Sequence, residues 1–249
     1  MINATLKKLI PQNTPISAPT LYSVLAPAKR IRPFIVLATT KMLGVSEKSA
    51  LHPACALEFI HTSSLIHDDL PCMDDDDFRR GKPTLHKAYD EATAVLAGDY
   101  LLSLAFETIA DAPNLSTQVR LNLTRILAKR TGAFGMIGGQ VLDLQKSTDI
   151  TTLNALKTAA LFEAAMEFAE AIAEVSNPNL SAFGLQFGLL FQAIDDIQDN
   201  DHPLGPAKAH EAANDAYCQC KQLLLSLPYD SSELDEKVEM LASHINLPV

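Results

Sequence analysis

Six aspartates lie within eleven residues in the segment HDDLPCMDDDD, positions 67–77, and aspartates return in AIDDIQDND at positions 193–201. A strongly apolar segment precedes each cluster, so these carboxylates cannot all be ordinary surface charges. Withdrawing a carboxylate from water costs several kcal/mol unless a cation compensates it. Oxygen-only ligands suit Mg²⁺, which also takes phosphate oxygens from a substrate. The two clusters therefore indicate bound metal or arginine partners.

Two other readings of the acidic clusters are possible. A charge run is often a solvated face, but the apolar flanks argue against that here. A calcium-binding EF-hand loop is also rich in aspartate, but this sequence lacks the glycine at its turn and its terminal glutamate.

Basic residues flank the first cluster. FRRGKPT follows it directly with Arg79 and Arg80, and AKRIRPF precedes it with Lys29, Arg30 and Arg32. Guanidinium forks and an ammonium group beside a metal site provide the fixed donors that a diphosphate needs. A lone Arg-Arg pair is commonly a solvent-exposed feature, but its position after DDxxxxD favours a diphosphate substrate.

Helices are expected to position these residues. Stretches rich in Ala, Leu, Glu, Lys and Gln recur between short breaks that carry Pro, Gly, Asn or Asp. The 249 residues are 47% hydrophobic, enough for a core, and include only 10 glycines. We predict a single all-α domain over residues 1–249. Apolar spacing predicts helices near residues 17–26, 32–44, 48–68, 84–110, 116–134, 152–175, 179–199, 207–227 and 231–245.

Charge and cysteine content exclude several classes of protein. Thirty acidic and 20 basic residues give a net charge of −10, which argues against a general nucleic-acid surface. The 4 cysteines lack zinc-site spacing and fit reduced thiols, so we expect a cytoplasmic protein. No signal peptide and no uncharged apolar stretch long enough for a membrane span is indicated.

The stretch SLIHDDLPCMDDDDFRRGKPTLHKAYDEATAVLAGDYLL resembles the first aspartate-rich motif of the trans-isoprenyl diphosphate synthases, and FQAIDDIQD resembles the second. Three further matches occur in the family's order: KRIRP at 29–33, GGQVLDL at 138–144 and KTAALF at 157–162. The resemblance covers roughly residues 20–200. One DDxxD motif is weak evidence, but five motifs in order are specific.

The resemblance implies the isoprenoid synthase fold, an antiparallel helical bundle around a central cavity with both aspartate motifs at its mouth. It also implies a homodimer that condenses isopentenyl diphosphate with an allylic diphosphate, adding five carbons and releasing pyrophosphate. The products expected are farnesyl or geranylgeranyl diphosphate. By position, the implied Mg²⁺ ligands are Asp68, Asp69, Asp74, Asp195, Asp196 and Asp199. The implied isopentenyl diphosphate ligands are Lys29, Arg32, His61 and Arg80, and the implied contacts to the allylic substrate are Arg79, Lys157, Thr158 and Gln192.

The chemistry of the reaction makes these roles sensible. Ionising an allylic C–O bond produces a carbocation and pyrophosphate, so metal ions and basic residues must neutralise developing negative charge. The cation must be kept from water, and the oxygen dipoles of Thr158 and Gln192 can stabilise it. The final proton is expected to leave to pyrophosphate, so no side-chain base is required.

Structural roles remain open for several of these residues. His61 could be an ordinary helix histidine rather than a ligand. Gln140 and Asp143 could form a structural hydrogen-bonded pair rather than contact substrate. The additional aspartates at 75–77 are expected to pair with Arg79 and Arg80.

Two departures from the family pattern affect the expected substrate sites. The usual two glycines before KRIRP are Pro27 and Ala28, which stiffens a loop that normally lets the backbone approach a diphosphate. The Gly- and Lys-rich loop after the second motif is missing, so one basic contact to the allylic diphosphate is absent unless Lys208 replaces it.

In the family that the sequence resembles, the residues five and four positions before the first aspartate line the product cavity, so the resemblance implies that product length depends on them. The positions five and four residues before that aspartate are Ser63 and Ser64, both small, and Phe59 lies one helical turn further along, about 6 Å. Phe59 is the candidate cavity floor. This arrangement favours a C20 product over a C15 product.

Two functions other than an active synthase are compatible with part of this pattern. A regulatory or scaffold subunit could keep the fold without activity, but the intact aspartate motifs argue against it. A terpene cyclase pairs one aspartate motif with an Asn/Ser/Glu metal motif rather than with a second DDxxD.

Overall fold

The computed structural model describes residues 1–199 and 205–245. Helices account for nearly all the regular structure in that part of the chain, so the prediction of an all-α fold is confirmed. The elements are α1 (Ile2–Leu9), α2 (Ser17–Val24), α3 (Ile31–Met42), α4 (Glu47–Asp68), β1 (Phe78–Arg79), β2 (Lys82–Pro83), α5 (Leu85–Ala88), α6 (Glu91–Ala110), α7 (Thr117–Thr131), α8 (Met136–Leu144), α9 (Ile150–Asn154), a π-helical segment (Ala155–Ala159), α10 (Ala160–Ala173), α11 (Pro178–Asp199), α12 (Pro206–Leu225), α13 (Ser232–Ala242) and a 3₁₀ turn (Ser243–Ile245).

The chain divides into two compact units. The first comprises Met1–Phe34 and Leu51–Thr124, and the second comprises Ile35–Ala50 and Arg125–Val249. The single domain predicted over residues 1–249 therefore stays a prediction.

In the first unit, α6 packs against α2 and α5 and buries one apolar face, including Leu101 and Ile109. Asp90 caps α6, because its carboxylate accepts a hydrogen bond from the Thr93 amide at 2.8 Å. This cap starts a new helix just after α5 ends. The single helix predicted over 84–110 is wrong for that reason, and two helices occupy the segment.

A two-stranded hairpin follows the first aspartate cluster. Its antiparallel register pairs Phe78 with Pro83 and Arg79 with Lys82. The two connecting residues, Arg80 and Gly81, have φ angles of 55° and 75°, as the two-residue type I′ turn requires. The hairpin was not predicted, although an Xaa-Gly pair between two short extended segments is its usual signal.

In the second unit, α11 packs against both α10 and α12. Phe162 of α10 and Phe183 of α11 both contact Phe187 in tilted ring pairs, with ring centroids 5.4 and 5.7 Å away. Gly184 allows the close approach of α11 to α10, because an added Cβ would lie 2.8 Å from the Phe162 carbonyl oxygen.

Most of the other predicted helices are confirmed to within about three residues. Two observed helices, α1 and α8, were not predicted. In α8 the pair Gly138-Gly139 lowers local helix propensity, while packing against the π-helical segment supports the helix. That segment also interrupts the helix predicted over residues 152–175.

One described helix, α6, is long and apolar enough to cross a membrane by length and composition. Within its most apolar window 44% of the residues are buried in the protein. Core helices of proteins that do not enter membranes pass the same test.

Candidate active site

The first aspartate motif begins where α4 ends. The loop after Asp68 folds back on the helix end, because the Asp74 amide donates a hydrogen bond to the Asp68 carbonyl at 2.9 Å. Residues six positions apart in the sequence are therefore neighbours. DDxxxxD has two more residues between its aspartates than DDxxD has. This backbone contact nevertheless brings the main chains of its first and last aspartates together.

Asp69 is buried and bonded to Arg79, the first hairpin arginine. Arg79 donates from Nε to Asp69 Oδ1 at 2.5 Å and from Nη2 to Asp76 Oδ2 at 3.0 Å. Burial raises the pKa of the Asp69 carboxyl, and the positive charge of Arg79 opposes that rise. Asp69 thereby fixes the orientation of Arg79, and its predicted role as a metal ligand stays a prediction.

Thr84 holds the remainder of the acidic loop. Its buried hydroxyl donates to the Asp76 carbonyl at 2.8 Å, and its amide donates to the Asp77 carbonyl at 3.0 Å. The predicted pairing with hairpin arginines is confirmed for Asp76, whereas Asp77 pairs with Lys87 at 2.7 Å. Thr84 was not predicted as a site residue, although a threonine at the N-cap of a short helix is a recognisable signal.

The basic residues of KRIRP divide into two groups. Arg30 is engaged by the protein itself, since it contacts Glu58 at 2.5 Å and also the Val24 carbonyl. Arg32 is buried, and Lys29 is exposed. The structure therefore gives Arg30 a structural role and leaves the substrate roles of Lys29 and Arg32 as predictions.

His61 lies in a positively charged environment. Its pKa is held well below the usual value, first by burial and then by the charges of nearby guanidinium groups. The imidazole is therefore neutral at pH 7 and can offer both a donor and an acceptor. The contributing guanidinium groups are those of Arg32, Arg80, Arg79 and Arg30.

This low pKa predicts a measurable pH dependence of stability. The pKa of His61 in the folded state is depressed below 6.5, the value expected in the unfolded chain. Its contribution to stability is therefore complete when the pH is above 6.5 and is lost as the pH falls below that value. Between pH 6.5 and 5.5 the wild-type protein should lose about 1 kcal/mol more unfolding free energy than His61→Gln. Urea titrations of both proteins at the two pH values measure the difference. Parallel losses in both proteins would show that His61 is not the titrating group.

The second aspartate motif lies on one face of α11. Gln192, Asp195, Asp196 and Asp199 follow the i, i+3, i+4, i+7 spacing of a single helix face. The Gln192 side-chain nitrogen donates to Asp196 Oδ1 at 2.7 Å. The structure thus links the glutamine to one carboxylate of the predicted metal-binding set.

The π-helical segment carries Lys157 and Thr158. π-Helical turns are rare and frequently occur at functional sites. The buried Thr158 hydroxyl donates to Gln192 Oε1 at 2.6 Å. Thr158, Gln192 and Asp196 therefore form one hydrogen-bonded chain, which unites three residues predicted separately.

Two glycines allow neighbouring helices to close on this segment. A Cβ on Gly139 of α8 would lie 2.1 Å from the Lys157 amide nitrogen, and a Cβ on Gly188 of α11 would lie 2.4 Å from the Ala159 Cα. Neither distance is tolerated between real atoms. The second glycine of GGQ is thus explained by its contact with the segment that carries Lys157.

Asp143 contacts Lys157 through a carboxylate–ammonium pair. The alternative pairing of Asp143 with Gln140 is wrong. The buried side-chain nitrogen of Gln140 has no hydrogen-bond partner within residues 1–199 and 205–245. Sequence reasoning did not connect Asp143 with Lys157, because the two are 14 residues apart and no local spacing relates them.

A polar pocket of about 560 Å³ lies in the second unit. Its wall includes Lys157, Gln192 and Asp196 from the predicted site. The other lining residues are Asp143, Lys146, Ser147, Thr148, Ile150, Leu153 and Asn154.

The predicted product-length residues belong to α4. Phe59 is fully buried and Ser63 is nearly so. The Ser63 hydroxyl donates to the Gly98 carbonyl of α6 at 2.9 Å, and the Ser64 hydroxyl donates to the His61 carbonyl. Ser63 therefore faces α6, and its role in product length stays a prediction.

The chemistry of the donor sets fits Mg²⁺. No three His, Cys, Asp or Glu side chains form a ready-made metal cage in the described ranges 1–199 and 205–245. Mg²⁺ requires only one or two protein carboxylates when water and substrate phosphates complete its shell. Asp68 with Asp74, and the aspartates on the α11 face, offer ligand sets of that kind.

Comparison with known proteins decides the family. The model of the polyprenyl synthetase family matches residues 13–208 and includes both aspartate motifs. The chain belongs to the polyprenyl synthetase family.

Individual polyprenyl synthetases are similar over most of the chain. The farnesyl diphosphate synthase of Bacillus subtilis is 41% identical over 233 residues, 88% of this chain and 78% of that protein. The large subunit 1 of a heterodimeric geranylgeranyl pyrophosphate synthase from Arabidopsis thaliana is 41% identical over 216 residues, 80% of this chain and 58% of that protein.

A solved polyprenyl synthetase structure has the same fold. The apo structure of an FPP/GFPP synthase from Zymomonas mobilis matches with a TM-score of 0.88 and 36% identity, covering 98% of this chain and 94% of that one. The predicted isoprenoid synthase fold is thereby confirmed.

Proposed function

We propose that this polyprenyl synthetase extends an allylic diphosphate with isopentenyl diphosphate to give farnesyl or geranylgeranyl diphosphate. The observation that carries the proposal is the single pocket that Lys157, Gln192 and Asp196 line together. Relatives named farnesyl and geranylgeranyl diphosphate synthases support it. No finding favours a regulatory or scaffold subunit.

The residues of the second unit suit a reaction that forms a carbocation. Because the Thr158 proton is committed to Gln192, the lone pairs of the Thr158 oxygen remain available to developing positive charge. Lys157 can bind an oxygen of the departing pyrophosphate while Asp143 holds its ammonium group in position. The isopentenyl double bond then forms the new C–C bond, and the proton lost afterwards passes to pyrophosphate.

The residues of the first unit suit the diphosphate groups. Arg79, held by Asp69 and Asp76, presents its guanidinium with a fixed orientation, and Arg80 occupies the hairpin turn. We infer that Lys29, Arg32, His61 and Arg80 bind isopentenyl diphosphate. Mg²⁺ held by aspartates such as Asp68 and Asp74 of this unit would supply positive charge to the allylic diphosphate.

A homodimer is part of this proposal. Four large apolar side chains recur every three or four residues along α8 and the turn before it, and all are exposed. A stripe of this kind is typical of a helix that packs against another chain. The four residues are Phe134, Ile137, Val141 and Leu144. Sedimentation of the purified chain at twice its 27.0 kDa mass would support self-association.

A cytoplasmic location is also proposed. All four cysteines are free, as expected in a reducing compartment. The apolar helix α6 has a buried face in the first unit, which suits a core helix.

The test of the function is direct. The purified protein is incubated with Mg²⁺, labelled isopentenyl diphosphate and, separately, dimethylallyl, geranyl and farnesyl diphosphates. The dephosphorylated products are then separated by chain length. A C15 or C20 alcohol is expected, whereas diphosphate binding without incorporation of label would instead support the non-catalytic subunit.

Product length can be tested at Ser63. Ser63→Phe should shorten the main product by one isoprene unit, because a phenyl group occupies the space that a growing chain needs. Ser63→Ala is the matched control, since it removes the hydrogen bond to Gly98 and keeps the residue small. An unchanged product distribution in Ser63→Phe would exclude this position as a determinant.

A further inference from the structure

The polar pocket of the second unit contains a basic residue that no family motif assigns. Lys146 lines the same wall as Lys157 and Asp196. It follows the C-terminal end of α8 and precedes the polar pair Ser147-Thr148, which also lines the pocket.

The backbone around Lys146 is fixed by hydrogen bonds. The Lys146 amide donates to the Asp143 carbonyl at 2.8 Å, and the Ser147 amide donates to the Leu142 carbonyl at 3.0 Å. These two bonds form the Schellman motif that ends many helices. Lys146 has a φ of 54°, in the left-handed region, where glycine is the usual residue. A lysine occupies this position although glycine would adopt its backbone conformation with less strain.

The charges in the pocket distinguish Lys146 from Lys157. The Lys157 ammonium is paired with Asp143, and Asp196 accepts a hydrogen bond from Gln192. The Lys146 ammonium has no ion pair or side-chain hydrogen bond with any residue in the ranges 1–199 and 205–245. Lys146 is therefore the cation of the pocket wall that has no protein counter-charge there.

We propose that Lys146 binds the diphosphate group of the allylic substrate and supplies the basic contact that the missing loop after Asp199 would otherwise provide. This assignment rests on the proposed function, because the pocket must receive a diphosphate. An ammonium without a protein counter-charge, on the wall that also carries Asp196, gives a diphosphate a second positive contact in addition to Lys157.

Lys208, the other candidate for that contact, is less suitable. It lies in the first turn of α12, exposed, and its ammonium pairs with Glu211 at 2.5 Å. It is not among the residues that line the pocket.

The first test measures binding and kinetics of Lys146→Gln. The KM for geranyl diphosphate should rise about tenfold, the scale of one charge-assisted contact, while kcat and the KM for isopentenyl diphosphate change less than about twofold. Calorimetric binding of inorganic pyrophosphate with Mg²⁺ should weaken by a similar factor. Lys146→Arg should restore most of the binding, and Lys129→Gln, which removes an exposed lysine from α7, should match the wild-type protein.

The outcomes separate this assignment from the proposed function. Unchanged pyrophosphate binding in Lys146→Gln would overturn the assignment, as would a KM increase in Lys208→Gln alone. If the wild-type protein binds pyrophosphate but does not elongate any allylic diphosphate, the proposed function is wrong. The role of Lys146 in binding diphosphate would still be decided by the pyrophosphate-binding data. A wild-type protein that does not bind pyrophosphate would overturn both.

A second test uses the backbone. Lys146→Gly should weaken pyrophosphate binding as Lys146→Gln does. Its Tm should be no lower than that of the wild-type protein and up to about 2 °C higher, because glycine relieves the strain of the left-handed backbone conformation. A lower Tm in Lys146→Gly with unaltered pyrophosphate binding would mean that Lys146 has only a structural role.

Discussion

Asp68→Asn is expected to lower kcat for chain elongation by about 10³-fold, the scale seen when one preorganised charge-stabilising group is removed. Asparagine keeps the size of the side chain but removes the negative charge that a divalent cation requires. The Asp68 carbonyl still accepts the Asp74 amide, so the loop should keep its course. Steady-state kinetics at saturating substrates, together with Mg²⁺-dependent binding of pyrophosphate, measure the effect.

The control for Asp68→Asn is the same substitution at Asp77. That residue belongs to the same acidic cluster but is exposed and paired with Lys87. Its replacement should change kcat less than about threefold. Equal losses in the two variants would mean that the cluster acts through its total charge rather than through Asp68.

Gly139→Ala is expected to lower kcat by about 10²-fold, because small displacements of catalytic groups have effects of that size. The new methyl group would lie 2.1 Å from the Lys157 amide nitrogen, so α8 or the π-helical segment must move. Lys157 and Thr158 would then leave their positions beside Asp143 and Gln192. The measurements are kcat, the KM for the allylic substrate and Tm.

Gly184→Ala provides the comparison for Gly139→Ala. It also forces a methyl group against a neighbouring backbone, 2.8 Å from the Phe162 carbonyl oxygen, but at the contact between α11 and α10. Both variants should lose stability, by about 1–3 kcal/mol. Only Gly139→Ala should lose activity beyond what its folded fraction explains, and a proportional loss in both would refute a positioning role for Gly139.

Much of the secondary structure could be predicted because apolar periodicity and helix-stop residues are local properties. The ends of α4 and α11, where the two aspartate motifs lie, agree with prediction. The errors arose where other forces compete with propensity. Asp90 caps a new helix inside a continuous apolar pattern, and packing supports α8 despite its two glycines.

The class of chemistry could be predicted from the residue types alone, since DDxxxxD, DDxxD and the basic residues near them specify oxygen ligands and anion-binding groups whatever the detailed packing. Which of those groups pair with other residues of the protein depends on the folded arrangement. Asp69 holds Arg79, Glu58 holds Arg30, and Asp143 holds Lys157. Those pairs join residues 10 to 28 positions apart. Only the folded positions of their helices and turns fix such distances, because an ion pair requires atoms within about 4 Å and no local sequence period encodes that.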